Sequence, residues 1–116
     1  MTYNNNNIFA QIIGKKLPTK IISENEYAIA FNDIAPQAPI HILIIPKGKY
    51  IKYDDFINKA SKEEIYNFFM LINQLVKDYN LANAGYRLIT NAGKNANQEV
   101  PHFHFHLLAG QNLGKM

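Results

Sequence analysis

Residues 101–108 read Pro-His-Phe-His-Phe-His-Leu-Leu, and this alternation constrains the chain more than any other feature. Successive side chains of a β-strand point to opposite faces. As a strand, the segment puts His102, His104 and His106 on one face, and Phe103, Phe105 and Leu107 on a face that can cover a core. Same-face neighbours stand about 6.5–7 Å apart along a strand. The chain has four histidines, and the fourth is His41. Three neutral imidazoles in a row suit two chemistries. One is metal binding, for which imidazole is a common ligand. The other is the handling of a phosphate, with one ring as nucleophile and others as donors to developing negative charge. A strand with a merely polar outer face is the plain alternative. The row's clustering after Asn91, Gly93 and Gln98 argues against it.

The length, 116 residues, predicts one domain, 1–116, with a real core. A hydrophobic share of 47% and a charged share of 18% fit a soluble globular chain. Without cysteine there is neither a disulfide framework nor a thiolate metal site. The Asn-rich start has no basic region followed by an apolar run, and no apolar run is long enough to span a bilayer. These features predict a cytoplasmic protein. The net charge is +3, with Lys47, Lys49 and Lys52 close together, but Arg87 is the sole arginine. The excess suits an anionic small ligand, whereas a nucleic-acid surface is poorly supported.

Along the chain, Asn4 to Asn7 offer a cap for a short helix carrying Ile8, Phe9, Ile12 and Ile13, with Gly14 as its stop. Residues 21–24 and 27–32 read as a hairpin turning at Asn25-Glu26. Pro36 and Pro39 fix a loop from Asp33, since proline cannot donate to a ladder. Residues 41–45 form an apolar strand of the kind found in mid-sheet, with His41 at its mouth. Residues 49–59 are a connector with a short helical turn near Asp54. Ser61 and Glu64 form a capping box. Behind it, Ile65, Phe68, Phe69, Ile72, Leu75, Val76 and Tyr79 make one apolar face of the main helix. That helix is expected to cover one face of the sheet and leave the other for ligand. Truncating Phe69 or Ile72 to Ala is expected to cost about 2–5 kcal/mol through a cavity. Residues 86–91 are a fourth strand, residues 92–98 a loop rich in turn formers, and the histidine strand follows.

This order, with Ile8-Phe9, with Asp33-Ile34-Ala35-Pro36-Gln37-Ala38-Pro39-Ile40-His41, and with Gln98-Glu99-Val100-Pro101 running into the histidine row, resembles the histidine-triad family. Within that family it is most similar to the Hint branch of nucleotide phosphoramidases. The resemblance runs over nearly the whole chain. It implies an α+β fold: a five-stranded antiparallel sheet with one long and one short helix, pairing into a ten-stranded sheet in a homodimer.

The activity implied is metal-independent hydrolysis of nucleoside 5′-phosphoramidates, with no cofactor and with purine nucleotide conjugates of AMP or GMP as substrates. By resemblance, His104 attacks the α-phosphorus and forms a nucleotidyl-histidine. His106 contacts phosphate, while His102 and His41 support the two rings. Asp33 matches the carboxylate that holds the ribose hydroxyls. Phe9, Ile12, Phe31, Ile34 and Leu43 match the lining of the base and ribose pocket, although apolar side chains are more often plain core. Asn91 and the Val100 N–H match phosphate contacts. Three positions depart from the family's pattern. Glu99 stands for a serine that helps the leaving amine, Asn97 for a glycine, and Asn32, beside Asp33, for a histidine. Two other readings of the residues remain: zinc held by His41 with two histidines of the row, and a nucleotide-binding module without turnover.

Overall fold

Asn7 opens the first helix, α1 (Ile8–Ile13), by accepting a hydrogen bond from the Ala10 N–H on its side chain, which is how an asparagine satisfies an orphan donor of the first turn. The computed structural model describes residues 2–116, so of the expected domain only Met1 lies outside the described residues. Gly14 closes α1 at φ −77°, and the left-handed residue that turns the chain is Lys15, at φ 59°. The expected glycine stop is therefore in place, but not in the conformation that favours glycine.

The strands β1 (Ile21–Glu24), β2 (Ala28–Asn32) and β3 (Ile40–Pro46) follow. Asn25 makes the hairpin turn by accepting from the Tyr27 and Ala28 N–H groups. After β3 come α2 (Tyr53–Lys59), α3 (Lys62–Asp78), α4 (Leu81–Ala84), β4 (Arg87–Ile89), a single 3-10 turn (Lys94–Ala96) and β5 (Phe105–Ala109). The connector thus holds a full two-turn helix rather than a turn, and α4 was not foreseen. The capping box forms with both bonds, Ser61 to the Glu64 N–H and Glu64 back to the Ser61 N–H.

The sheet is antiparallel throughout, in the order β1-β2-β3-β5-β4. Its period of two divides the core into layers. Ala28, Ala30, Ile42, Ile44, Leu107 and Ala109 face the helices, where they meet Phe68, Leu71, Ile72 and Leu75 of α3 and Phe56 of α2. Ile29, Phe31, Leu43 and Ile45 face the other way and meet Phe9 and Ile12 of α1. β3 is buried on both faces, as its unbroken apolar run requires. The main helix does cover one face, and the other carries only a six-residue helix, which leaves room beside it.

Two expectations need correction. Phe69 and Tyr79 sit at the margin of the apolar face and remain 37% and 38% exposed, while Leu71, absent from the predicted stripe, is buried. Phe69 packs on Phe68 and Phe105 from the rim, so its truncation opens no closed cavity. The strands around the histidines are also shorter than the alternation suggests. β5 begins only at Phe105, and β4 ends at Ile89, which pairs with His106. Pro101 has no N–H, and the next two amides bond elsewhere, His102 N–H to the Val100 carbonyl and Phe103 N–H to the Tyr50 carbonyl. Where the β4 ladder stops, the Thr90 hydroxyl takes over and donates to the His104 carbonyl at 2.7 Å.

Candidate active site

The alternation of side chains survives the loss of ladder pairing. Phe103 is buried among Phe56, Phe68 and Phe105 on the helix side. His104 and His106 stand on the opposite side with ring centres 5.1 Å apart, and Phe9 of α1 sets its edge against His104 at 5.0 Å. Across the sheet Leu43 pairs with His106, and His41 pairs with Leu108. The diagonal neighbour on the same face brings the His41 ring to His106, 65 residues away.

Protons on these rings follow from their partners, because a carbonyl only accepts and a backbone amide only donates. His104 Nδ1 lies 2.7 Å from the His102 carbonyl, so it carries the proton, and Nε2 keeps a lone pair. No other group among the described residues bonds the His104 ring. His102 Nε2 donates to the Pro46 carbonyl at 2.8 Å, and its Nδ1 accepts from the Tyr3 hydroxyl at 2.6 Å. His41 Nδ1 accepts from the Gln37 N–H at 3.0 Å, which places the His41 proton on Nε2. That proton points at His106 Nδ1, 2.9 Å away, with Asp33 Oδ2 at 3.4 Å beside it. His106 is left with its proton on Nε2. The two rings thus offer one nucleophilic nitrogen and one N–H donor.

Burial favours the neutral form of His102, His104 and His106. His102, fully buried, is pushed down to about 4, against the pull of its bond to Pro46. Desolvation also lowers His106 to about 4, helped by the neighbouring His104 and His41. His104 is lowered by burial as well, opposed by its bond to the His102 carbonyl and by the charges of Asp33 and Glu99. A neutral imidazole at pH 7 is the form that attacks an electrophile without first losing a proton.

The pocket in front of these rings measures about 720 Å³. Its walls include Phe9 and Ile12 from α1, Phe31 and Asn32 from β2, Asp33 and Ile34 from the proline loop, Leu43 from β3, and Asn91, Glu99 and Val100 from the loop before β5. All the residues matched to nucleotide binding therefore line one hollow with His104 and His106. His41 and His102 stand behind it. Asp33 does two things at once: Oδ1 caps its loop by accepting from the Ala35 N–H, and Oδ2 faces His41. Ile34 is almost wholly exposed, so it is a rim residue and no part of the core. Asn97 takes the left-handed conformation at φ 54°, which asparagine tolerates better than most residues. Gln98 braces the loop through the Gly93 N–H and the Ile51 and Val100 carbonyls.

Sequence reasoning missed Leu17, Pro18, Thr19 and Gln37 in the wall, and Thr90 and Tyr3 behind it. Only Gln37, inside the proline loop, carried a positional hint. Asp33, His41 and His106 also have ligand atoms within 4.8 Å of one another. They form the metal-capable trio among the described residues, and two of its atoms already share a hydrogen bond. A second hollow, about 740 Å³, lies between α4 and the C-terminal tail and is lined by no histidine or carboxylate.

The family model of the HIT domain matches residues 14–113 of the chain. This protein belongs to the HIT family. A HIT-like protein of Azospirillum brasilense is 48% identical over 115 residues, which is 99% of this chain and 94% of the relative. A purine nucleoside phosphoramidase of Escherichia coli is 37% identical over 109 residues, covering 94% and 91% of the two chains. Among solved structures, a HIT family hydrolase from Legionella pneumophila superposes with a TM-score of 0.86 at 36% identity, over 94% and 96% of the two chains. The five-stranded antiparallel sheet with few helices is the HIT architecture. No helix among the described residues is long and apolar enough to cross a membrane.

Proposed function

We propose that this HIT protein hydrolyses nucleoside 5′-phosphoramidates, with purine conjugates of AMP or GMP as substrates, through a covalent nucleotidyl-histidine. The observation that carries the reading is the His104 ring: neutral, held at Nδ1 by the His102 carbonyl, with its Nε2 lone pair uncommitted beside the pocket. In this reading Nε2 attacks the α-phosphorus, the P–N bond to the amine breaks, and the amine leaves as it takes up a proton. Water then displaces the histidine and releases the nucleoside monophosphate. His106 Nε2–H donates to a phosphate oxygen, and charge stabilisation of this kind supplies much of phosphoryl-transfer catalysis. Asp33 accepts from the ribose hydroxyls, while Phe9, Ile12, Phe31 and Leu43 sandwich base and sugar. Asn32 and Ile34 border them. Asn91 and the Val100 N–H approach the phosphate, and Glu99 stands on the leaving-group side. The phosphoramidase among the relatives supports the choice of bond.

The proposal includes a cytoplasmic setting, no nucleic-acid partner and a homodimer. Support for the dimer comes from the short edge strand β4 with Leu88 exposed, and from Tyr66, Phe69 and Met70 exposed on α3. Sedimentation giving a monomer at micromolar concentration would remove that part.

The test is turnover of an adenosine 5′-phosphoramidate bearing a fluorescent amine, in excess EDTA, by the wild type and His104→Ala. Turnover that survives EDTA and vanishes in the variant is expected. The trio Asp33, His41 and His106, which holds one histidine of the row and a carboxylate instead of the expected two row histidines, is what favours the second reading, a zinc site. Stoichiometric zinc and EDTA-sensitive activity would put it first. Tight nucleotide binding with no turnover would leave a binding module.

A further inference from the structure

Every polar atom of His102 is committed. Its N–H donates to the Val100 carbonyl, its carbonyl accepts from His104 Nδ1, and its Nε2–H donates to the Pro46 carbonyl. Those three bonds tie it to β3, to the loop before β5 and to the ring that faces the pocket. The fourth atom, Nδ1, is held from the N-terminal segment by Tyr3 Oη, across 99 residues of sequence. The Tyr3 ring also meets the His102 ring edge-on, at 5.6 Å between centres. Asn7 is buried beneath the same segment, and Phe9 sets its edge against both His102 and His104. Tyr3 and Phe9 therefore both set their rings against His102 from the N-terminal segment. Tyr3 and Phe9 both lie outside the stretch that the HIT domain model matches, which begins at residue 14.

We propose that Tyr3 is a positioning residue for the reaction. The Pro46 carbonyl sets His102 as the Nε2–H tautomer, and the Tyr3 hydroxyl, donating to Nδ1, holds the ring in that orientation and so fixes the carbonyl that holds His104 Nδ1–H. The tautomer matters because the alternative, with the proton on Nδ1, would face the Pro46 carbonyl with a lone pair. The bond from Tyr3 also occupies the one nitrogen of His102 at which a proton could add. Burial raises the Tyr3 phenol above its ordinary value, so at neutral pH it stays a donor. Without the hydroxyl, Nδ1 becomes a buried acceptor with no partner. The ring must then turn or admit water, and either movement shifts the His102 carbonyl by way of the same residue. The effect on catalysis is indirect, since Tyr3 does not line the pocket and bonds the His102 ring, not that of His104.

The role in turnover rests on the phosphoramidase reading, but the lock itself can be read without it. Protein labelled with 15N-histidine is compared as wild type and Tyr3→Phe, which keeps the ring and its edge contact. In the wild type, His102 is expected to show a protonated Nε2 and a hydrogen-bonded, unprotonated Nδ1. In the variant the Nδ1 signal is expected to move to that of a free acceptor, and the His104 Nδ1–H to exchange faster with water. With the fluorescent phosphoramidate, kcat is expected to fall about tenfold while KM stays within about twofold, the loss of one neutral hydrogen bond felt in the transition state. Unchanged His102 and His104 signals, or a kcat that falls only in step with the folded fraction, would overturn the proposal. If the wild type turns over nothing, the functional reading fails, and the two histidine signals decide the positioning claim alone.

Discussion

His41 Nε2 donates to His106 Nδ1 across 2.9 Å, and the direction of that bond decides which proton His106 presents to the pocket. The direction is set one step further back, where the Gln37 amide occupies His41 Nδ1. A loop fixed by Pro36 and Pro39 thus determines a tautomer at the far end of a two-ring relay. Replacing His41 by Leu frees His106 to put its proton on either nitrogen. Turnover of the phosphoramidate is expected to fall about tenfold to a hundredfold, while nucleoside monophosphate affinity, measured calorimetrically, changes only a few-fold. Full activity in this variant would disprove the relay.

Acid should destabilise the fold through the rings of His102, which is buried, and His106, which is half-buried. His102 and His106 titrate near 4 in the native state, below the ordinary histidine value of about 6.5 in the unfolded chain. Above about pH 6.5 neither state binds these protons, and the full contribution is present. As pH falls from there, only the unfolded chain takes them up, so stability declines until the native rings protonate near 4. Asp54 and Asp55, paired with Lys52 and Lys59, add their losses only at lower pH. The urea midpoint is expected to drop between about pH 6.5 and 4.5; a flat profile over that window would contradict the burial argument.

The margin of the α3 stripe separates sequence pattern from burial. Phe68 is fully buried against Phe56, Phe103 and Phe105, and its change to Ala is expected to cost about 3–5 kcal/mol. Phe69→Ala, on the exposed rim, should cost less than about 2 kcal/mol in dilute protein. Urea unfolding at two protein concentrations measures both. A Phe69 effect that grows with concentration would report burial of this rim by a second copy.

Glu99 lines the pocket and lends negative charge to the surroundings of His104. Glu99→Gln removes that charge from the neighbourhood of a bound phosphate. Affinity for AMP is expected to rise about two- to fivefold at low salt, with the gain shrinking as ionic strength increases. A gain insensitive to salt would mean a change of shape rather than of charge.

Much of this architecture was legible along the chain because it depends on local rules. The Asn7 cap, the Ser61–Glu64 box, the proline loop and the inside-out alternation of Phe103 to Leu107 act over a few residues, and each formed. The limits of β4 and β5 were not legible, because a strand ends where its partner's groups are taken by others. Here Val100, Tyr50 and Thr90 take them. Likewise the sequence shows only a helical turn near Asp54 where α2 runs its full length, since a short helix owes its stability to tertiary packing, in this case to the burial of Phe56.

By itself the sequence determined the composition of the site: which histidines face one way, which carboxylate stands in the proline loop, and which helix covers the back of the sheet. Tertiary structure alone decided the proton on each ring. A tautomer depends on which nitrogen meets an amide or a carbonyl, and here those partners are Gln37, Pro46 and the His102 backbone. Pro46 lies 56 residues from the imidazole it governs, and Tyr3, which bonds the other nitrogen of that ring, lies 99 residues away. Periodicity carries no information about such contacts, because they form only when the sheet brings distant segments face to face.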